Sequence, residues 1–159
     1  MIARVHRART EADFAPLRAL AQSHAQFERS GTVVPADWSR RMADLTTASR
    51  VDVFAAKAAA AAAAADEAIG YASVTYEVST WTGTAYAHLD CLYVDPGHRG
   101  HGAGLLLFDA VVRRARSAGH TELQWQTPAW NERAIRFYRR TGAQSRDKVR
   151  FTLPLTATA

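Results

Sequence analysis

The stretch Arg99-Gly100-His101-Gly102-Ala103-Gly104 constrains this chain more than any other. Three glycines alternate with other residues. Before them runs the apolar, alternating "TAYAHLDCLYVD", closed by Pro96-Gly97; after them comes "LLLFDAVVRRA", with helical spacing. Glycine disfavours a helix interior by about 1 kcal/mol. Three of them at a helix start mark a turn whose backbone something must approach closely. A strand end, a glycine turn and a helix start together make an anion site. The first helical N–H groups lack partners, and the helix dipole is positive there. Arg99 adds a cation suited to phosphate oxygens. The turn is therefore built for a phosphate or pyrophosphate. A nucleotide-hydrolysing P-loop needs Lys-Ser/Thr after its last glycine, and Leu105-Leu106 stands there instead. A dinucleotide fingerprint needs its third glycine where Leu105 sits, and its acid at a strand end, whereas Glu122 opens a strand.

Around this turn the periodicities predict alternating elements. "IARVHRA" reads as a strand. Thr10 and Asp13 form a capping box before one helix that buries Phe14, Leu17, Leu20 and Ala21. Ser30-Gly31 ends it, and a second helix starts near Pro35 and runs through Trp38, Met42 and Leu45. "VDVFAA", "AIGYASVTYEV" and "TAYAHLDCLYVD" are three consecutive strands. A helix from about Gly102 to Ala118 buries Leu105, Phe108, Val111, Val112 and Ala115, with Gly119 at its C-terminus. "TELQWQT" is a strand. "NERAIRFYRRTGA" is a helix capped by Asn131 and ended by Gly142, and "QSRDKVRFTLPL" a final strand or hairpin. The unbroken alanines of 58–65 are too few to hold a helix in water and lack turn residues. They read as a mobile connection, and 156–159 as a loose tail. The expected fold is one α/β domain over 1–159, a central mixed sheet flanked by about four helices.

With 159 residues, 48% of them hydrophobic, the chain can bury a substantial core. No apolar run reaches the roughly 18 residues that span a membrane, and "MIARVHRART" lacks a signal-peptide core. The single Cys91 can make no internal disulfide. A cytoplasmic location is expected, with no membrane partner. The net charge is +5, but the arginines are scattered, without a basic tract or aromatic interleaving, so no nucleic-acid partner is expected. The six histidines show no metal-ligand spacing, and no metal is expected.

Arg99 to Gly104 matches R-x-x-G-x-G/A, and Asn131 to Ala143 matches N-x-x-A-x-x-F-Y-x-x-x-G-A. In that order the two resemble the signatures of the GCN5-related N-acetyltransferases (GNAT). "WTG", "LDCLYV" and "WNERAIRFY" resemble the diamine branch, the spermidine/spermine and thialysine acetyltransferases. The resemblance implies the acyl-CoA N-acyltransferase fold, acetyl-CoA as co-substrate and a homodimer. It sets the pyrophosphate on Gly100, His101, Gly102, Ala103, Gly104 and Leu105 beside Arg99. The pantetheine arm pairs with the strand edge at Leu92, Tyr93 and Val94, next to Asn131, Ala134 and Phe137. Asn131 serves as helix cap alone, or as cap and pantetheine partner.

Transfer to an amine requires loss of the ammonium proton, a donor for the oxyanion and a proton for the departing thiolate. The resemblance makes Tyr138 the general acid; a phenol is protonated at neutral pH. Asp90 is the candidate base, in an otherwise apolar strand where the diamine enzymes carry a glutamate. It acts directly or through a water. The oxyanion donor is a backbone N–H near Leu92. Alternation sets Cys91 opposite Asp90, as a small core residue. His24, Phe27, Trp38 and Trp81 are acceptor-pocket candidates by resemblance, with core packing an equal or better account of Phe27 and Trp38. The acceptor is a small primary amine: a polyamine, amino acid or antibiotic-like amine. The alternatives are protein N-termini or lysines, and a non-catalytic acyl-CoA-binding module.

Overall fold

The computed structural model describes residues 3–58 and 67–155. Most of the alanine run and the 156–159 tail lie outside the described residues. The chain divides into two compact units between Gln126 and Thr127.

The first unit is built on a five-stranded sheet in the order β1-β2-β3-β4-β5. The strands are β1 (Ala3–Ala8), β2 (Val51–Ala58), β3 (Ala68–Ser79), β4 (Thr84–Val94) and β5 (Leu123–Gln124). β1 to β4 are successively antiparallel, and β5 lies parallel to β4. Residues 51–56 of β2 are all buried, as a central strand covered on both faces requires. Val51, Val53 and Ala55 face the helices α1 (Glu11–Phe14), α2 (Leu17–Phe27) and α3 (Trp38–Thr47). Asp52, Phe54 and Ala56 alternate to the other face, where α4 (Ala103–Ser117) packs across β1 to β4.

The single helix expected over 14–27 is two, because Pro16 has no N–H to continue the ladder. Phe14, Leu17, Leu20 and Ala21 are nonetheless all buried. The Thr10–Asp13 capping box is present. The stripe of α4 differs from expectation. Ala103, Leu107, Phe108, Ala110, Val111 and Ala115 are buried, whereas Leu105 is 48% exposed. The left-handed Gly102 (φ 85°) starts the helix at Ala103, and this phase turns Leu105 outward. Leu45 of α3 is also exposed. β5 is two residues long rather than seven. β4 departs from regular pairing two residues beyond the β5 contact, and an irregular strand bends away from its neighbour.

The second unit carries α5 (Glu132–Arg140). Asn131 caps it, its Oδ1 accepting from the Ala134 N–H at 3.2 Å. No strand forms over 144–155 among the described residues. Val149, Phe151, Leu153 and Leu155 alternate as a strand would, but all four are exposed. A one-faced pattern needs a strand to pair with, and this unit supplies none among its described residues.

Candidate active site

β4 leads from a bulge to an open edge and then to the glycine turn. Its register on β3 jumps between Ser73/Val74, passing from Cys91 to Leu89, so Asp90 is the extra residue. A bulge re-aims side chains. Asp90 and Cys91, which strict alternation would separate, lie on one side, with Sγ 3.5 Å from Asp90 Oδ2. This corrects the expectation that Cys91 points away from Asp90. Asp90 is exposed.

β5 pairs with β4 only at Ala87 and His88. Past that point β4 has no described partner on this side. The Asp95 N–H bonds the Ile69 carbonyl of β3 at 2.9 Å. By alternation Tyr93 shares the β3 side, and Leu92 and Val94 turn their N–H and C=O groups to the open edge. The Val94 carbonyl accepts from Arg99 Nε at 2.7 Å.

The turn follows. Asp95 caps a 3-10 turn at Pro96–His98, its side chain accepting from the Gly97 N–H at 3.0 Å. Gly100 and Gly102 have φ of 88° and 85°, which L side chains rarely adopt, and a Cβ on either would meet nothing within 4 Å. The space over the turn is open. The first intrahelical bond of α4 runs from the Leu106 N–H to the Gly102 carbonyl at 3.1 Å. The N–H groups of Ala103, Gly104 and Leu105 therefore precede the ladder, at the positive end of a 15-residue helix. Open space, glycine backbone and a helix N-terminus fit a diphosphate. Arg99 is turned toward β4 and α2, its guanidinium carbon 5.0 Å from the Phe27 ring centre and 5.4 Å from that of Tyr93. His101 is exposed in the turn.

The acceptor-pocket candidates separate. His24 stacks on Tyr93 with ring centres 5.1 Å apart, and its Nδ1 lies 3.0 Å from the Tyr71 hydroxyl. Phe27, 37% exposed, ends α2 under Arg99. Trp38 packs edge-on to the buried Phe14 at 6.0 Å, the core position. Trp81 is 97% exposed in the β3–β4 connection. Thus His24, Phe27, Tyr93 and Arg99 are linked by ring contacts and Cys91 with Asp90 by a hydrogen bond, and neither Trp38 nor Trp81 belongs to either set. In the second unit Tyr138 is half-buried, its ring centre 5.2 Å from that of Phe137.

Tyr71 was not legible from the sequence. It is 5% exposed, and its hydroxyl lies 3.0 Å from His24 Nδ1. Burial, with the charge field around Cys91, Asp90 and Glu28 adding to it, holds its phenol far above the usual value. Burial likewise pushes the Cys91 thiol up to about 12, so it is no thiolate nucleophile. Among the described residues no group of three His, Cys, Asp or Glu is placed to hold a metal ion, and no helix is long and apolar enough to cross a membrane.

Residues 19–143 match the acetyltransferase (GNAT) family. Thialysine N-epsilon-acetyltransferase of Bos taurus is 34% identical over 76 residues, 48% of this chain and 44% of that protein. The match thus spans less than half the length of that curated relative. Among solved structures, an aminoglycoside acetyltransferase from an uncultured soil metagenomic sample superposes with a TM-score of 0.76. It is 20% identical, with 97% of each chain covered. An aminoglycoside N-acetyltransferase in complex with CoA gives 0.76 at 19% identity, covering 98% of this chain and 96% of that one.

Proposed function

The chain belongs to the acetyltransferase (GNAT) family, and on that premise we propose that it moves the acetyl group of acetyl-CoA directly to a primary amine of a small molecule. The observation that carries this is the sequence of features along one strand. An exposed carboxylate in a bulge, a strand edge at Leu92 and Val94 that no strand covers among the described residues, and a glycine turn at a helix start follow one another from Asp90 to Gly104, with the Val94 carbonyl held by Arg99. An acetyl-CoA molecule needs those last two features in that order, and an amine needs the first beside them.

The roles follow from chemistry. The turn N–H groups and the helix dipole bind the diphosphate, with Arg99 within reach of it by side-chain rotation. Leu92 and Val94 bond the amide-bearing arm as an added strand would, and the Leu92 N–H is the oxyanion donor. Asp90 takes a proton from the ammonium, directly or through a water, and leaves a lone pair for attack. Tyr138, on α5, protonates the departing sulfur; the motif resemblance supports that role. Asn131, Ala134 and Phe137 accompany the arm on the same ground. We further propose that residues 1–159 act as one acetyltransferase domain, in the cytoplasm and as a homodimer.

A lysine-like side-chain amine is the preferred acceptor, in line with the thialysine enzymes that the chain resembles. The test is a panel of thialysine, lysine, polyamines, an aminoglycoside and N-terminal peptides, each with acetyl-CoA, followed by release of the CoA thiol. Turnover on a small amine is expected. Turnover on peptides alone would move the assignment to protein acetylation, and binding of acetyl-CoA without turnover on any amine would leave a non-catalytic binding module.

A further inference from the structure

Arg99 stands between two parts of the proposed co-substrate site, and its side chain joins them. Its backbone is extended, at φ −75° and ψ 154°, and leads directly into the left-handed Gly100 of the turn. Its Nε reaches back five residues and donates to the Val94 carbonyl at 2.7 Å. That carbonyl cannot turn aside. It shares a planar trans peptide with the Asp95 N–H, and that N–H is bonded to the Ile69 carbonyl of β3 at 2.9 Å. β3 also backs the strand closely here, since a Cβ on Gly70 would lie 2.6 Å from the Tyr93 carbonyl oxygen. The guanidinium is seated on two rings as well, its carbon 5.0 Å from the Phe27 ring centre and 5.4 Å from that of Tyr93.

We propose that Arg99 has a second seat on the diphosphate, and that its move between the two seats makes the site selective for a donor that carries a diphosphate. The proposal deepens the co-substrate reading given above and rests on it. A ligand with its diphosphate over Gly100 to Leu105 and its arm on Leu92 and Val94 must pass the stretch between them. The Arg99 side chain, running from its own Cα to the Val94 oxygen, lies along that stretch. The oxygen keeps a second lone pair, so the hydrogen bond alone does not bar the arm; the side chain beside it does.

The seat on β4 is made of a neutral carbonyl and two ring faces. A diphosphate offers the guanidinium paired, charged oxygens, which hold it more strongly. Binding of the diphosphate thus draws Arg99 off β4 and opens the Val94 carbonyl to the arm. A thioester on the same arm that ends in a hydroxyl has nothing with which to move Arg99. It is refused beyond the loss of its own diphosphate contacts. Arg99 is in this role a specificity-determining residue, and the two parts of the site are coupled through it.

The probes are CoA and pantetheine, which share the arm and of which only CoA carries the diphosphate. Neither bears an acetyl group, so binding is read apart from turnover. Dissociation constants are measured on the full chain, with melting in parallel. Arg99→Ala removes the guanidinium and its stem. CoA is expected to bind that variant at least about tenfold more weakly, the scale of one charge-assisted contact, while pantetheine binds it about threefold or more tightly. Inorganic pyrophosphate should strengthen pantetheine binding to the wild type and leave pantetheine binding to Arg99→Ala unchanged. Phe27→Leu, which takes one ring from the seat and keeps the arginine, should tighten pantetheine without weakening CoA. The pyrophosphate titration needs no substitution, so it decides the matter even where Arg99→Ala does not fold. CoA and pantetheine weakened together in Arg99→Ala, or a wild type whose pantetheine binding ignores pyrophosphate, overturn the coupling and leave Arg99 a fixed contact. CoA binding unaffected by Arg99→Ala overturns the second seat. A wild type that binds neither CoA nor pantetheine overturns the co-substrate reading itself, and the proposal falls with it.

Discussion

Cys91 Sγ stands 3.5 Å from Asp90 Oδ2, although the two residues are consecutive in a strand. A regular strand would send them to opposite faces. The bulge opposite Ser73/Val74 brings them together, and it lies between the β5 contact at His88 and the open edge at Leu92. One extra residue thus does two things to β4. It aims a carboxylate out of the sheet, and it parts the strand from its neighbour so that backbone groups are left free for a ligand.

Asp90→Asn keeps the size of the side chain and removes the base. We expect kcat/KM for the amine to fall by roughly a hundredfold or more at neutral pH, with the deficit narrowing as pH rises and the amine deprotonates unaided. Acetyl-CoA affinity should be unchanged. Steady-state rates over a pH series check this; a deficit that does not vary with pH removes the base role.

Gly102→Val places a branched residue at φ 85°, where strain costs roughly 1–2 kcal/mol, and fills open space over the turn. Acetyl-CoA affinity is expected to drop by more than about tenfold, equivalent to about 1.4 kcal/mol. Calorimetry on the folded variant measures it. Undiminished affinity would move the diphosphate away from this turn.

The glycine turn was legible because its information is local. Arg99, three glycines and an apolar helix are contiguous, and Gly100 and Gly102 do adopt the conformation that glycine is there to supply. The Thr10–Asp13 box and the Asn131 cap were legible for the same reason. The bulge was not. "LDCLYV" alternates without a break, and only the β3 register shows that Asp90 is extra. Tyr71 lay in a predicted strand with no role assigned, since its partner His24 is 47 residues before it. Residues 144–155 alternate like a strand, but pattern states only which face is apolar and says nothing of whether a neighbour exists to pair with.

Asp52 shows the same limit and yields a prediction about stability. It is 2% exposed on the α4 face of β2, and it accepts from Arg7, Tyr76 and Arg114, which lie 45, 24 and 62 residues away. Burial alone would raise its carboxyl. The bonds from Tyr76 and Arg114 and the charge of Arg7 outweigh that and hold it below the ordinary range. A lowered carboxyl adds stability that is complete above the unfolded value near 4 and is lost as pH falls through the folded value. Asp52→Asn should therefore destabilise at neutral pH. Breaking a buried pair costs about 3–5 kcal/mol, and the two arginines keep 30% and 31% exposure, so about 2–4 kcal/mol is expected. Below about pH 4 the wild type should lose the advantage and the two melting curves converge. A constant gap from pH 7 to pH 3 would show that the carboxylate charge is not what stabilises the cluster.

Tyr138→Phe separates a chemical role from a packing one. Tyr138 is half-buried beside Phe137 in α5, a position that a core aromatic also occupies. The substitution keeps the ring and removes only the hydroxyl. If that hydroxyl gives its proton to the departing sulfur, kcat falls by about a hundred- to ten-thousand-fold. Acetyl-CoA binding then changes little, because one uncharged hydrogen bond contributes only about 1 kcal/mol. If Tyr138 only packs, turnover is normal and any effect appears in melting. Rapid-quench turnover with melting in parallel distinguishes the two. The thiolate pool supplies a further check, since an acceptor-independent proton source such as added imidazolium should partly restore Tyr138→Phe and leave the wild type unaffected. A variant that melts normally and turns over at the wild-type rate takes Tyr138 out of the mechanism and leaves solvent to protonate the sulfur.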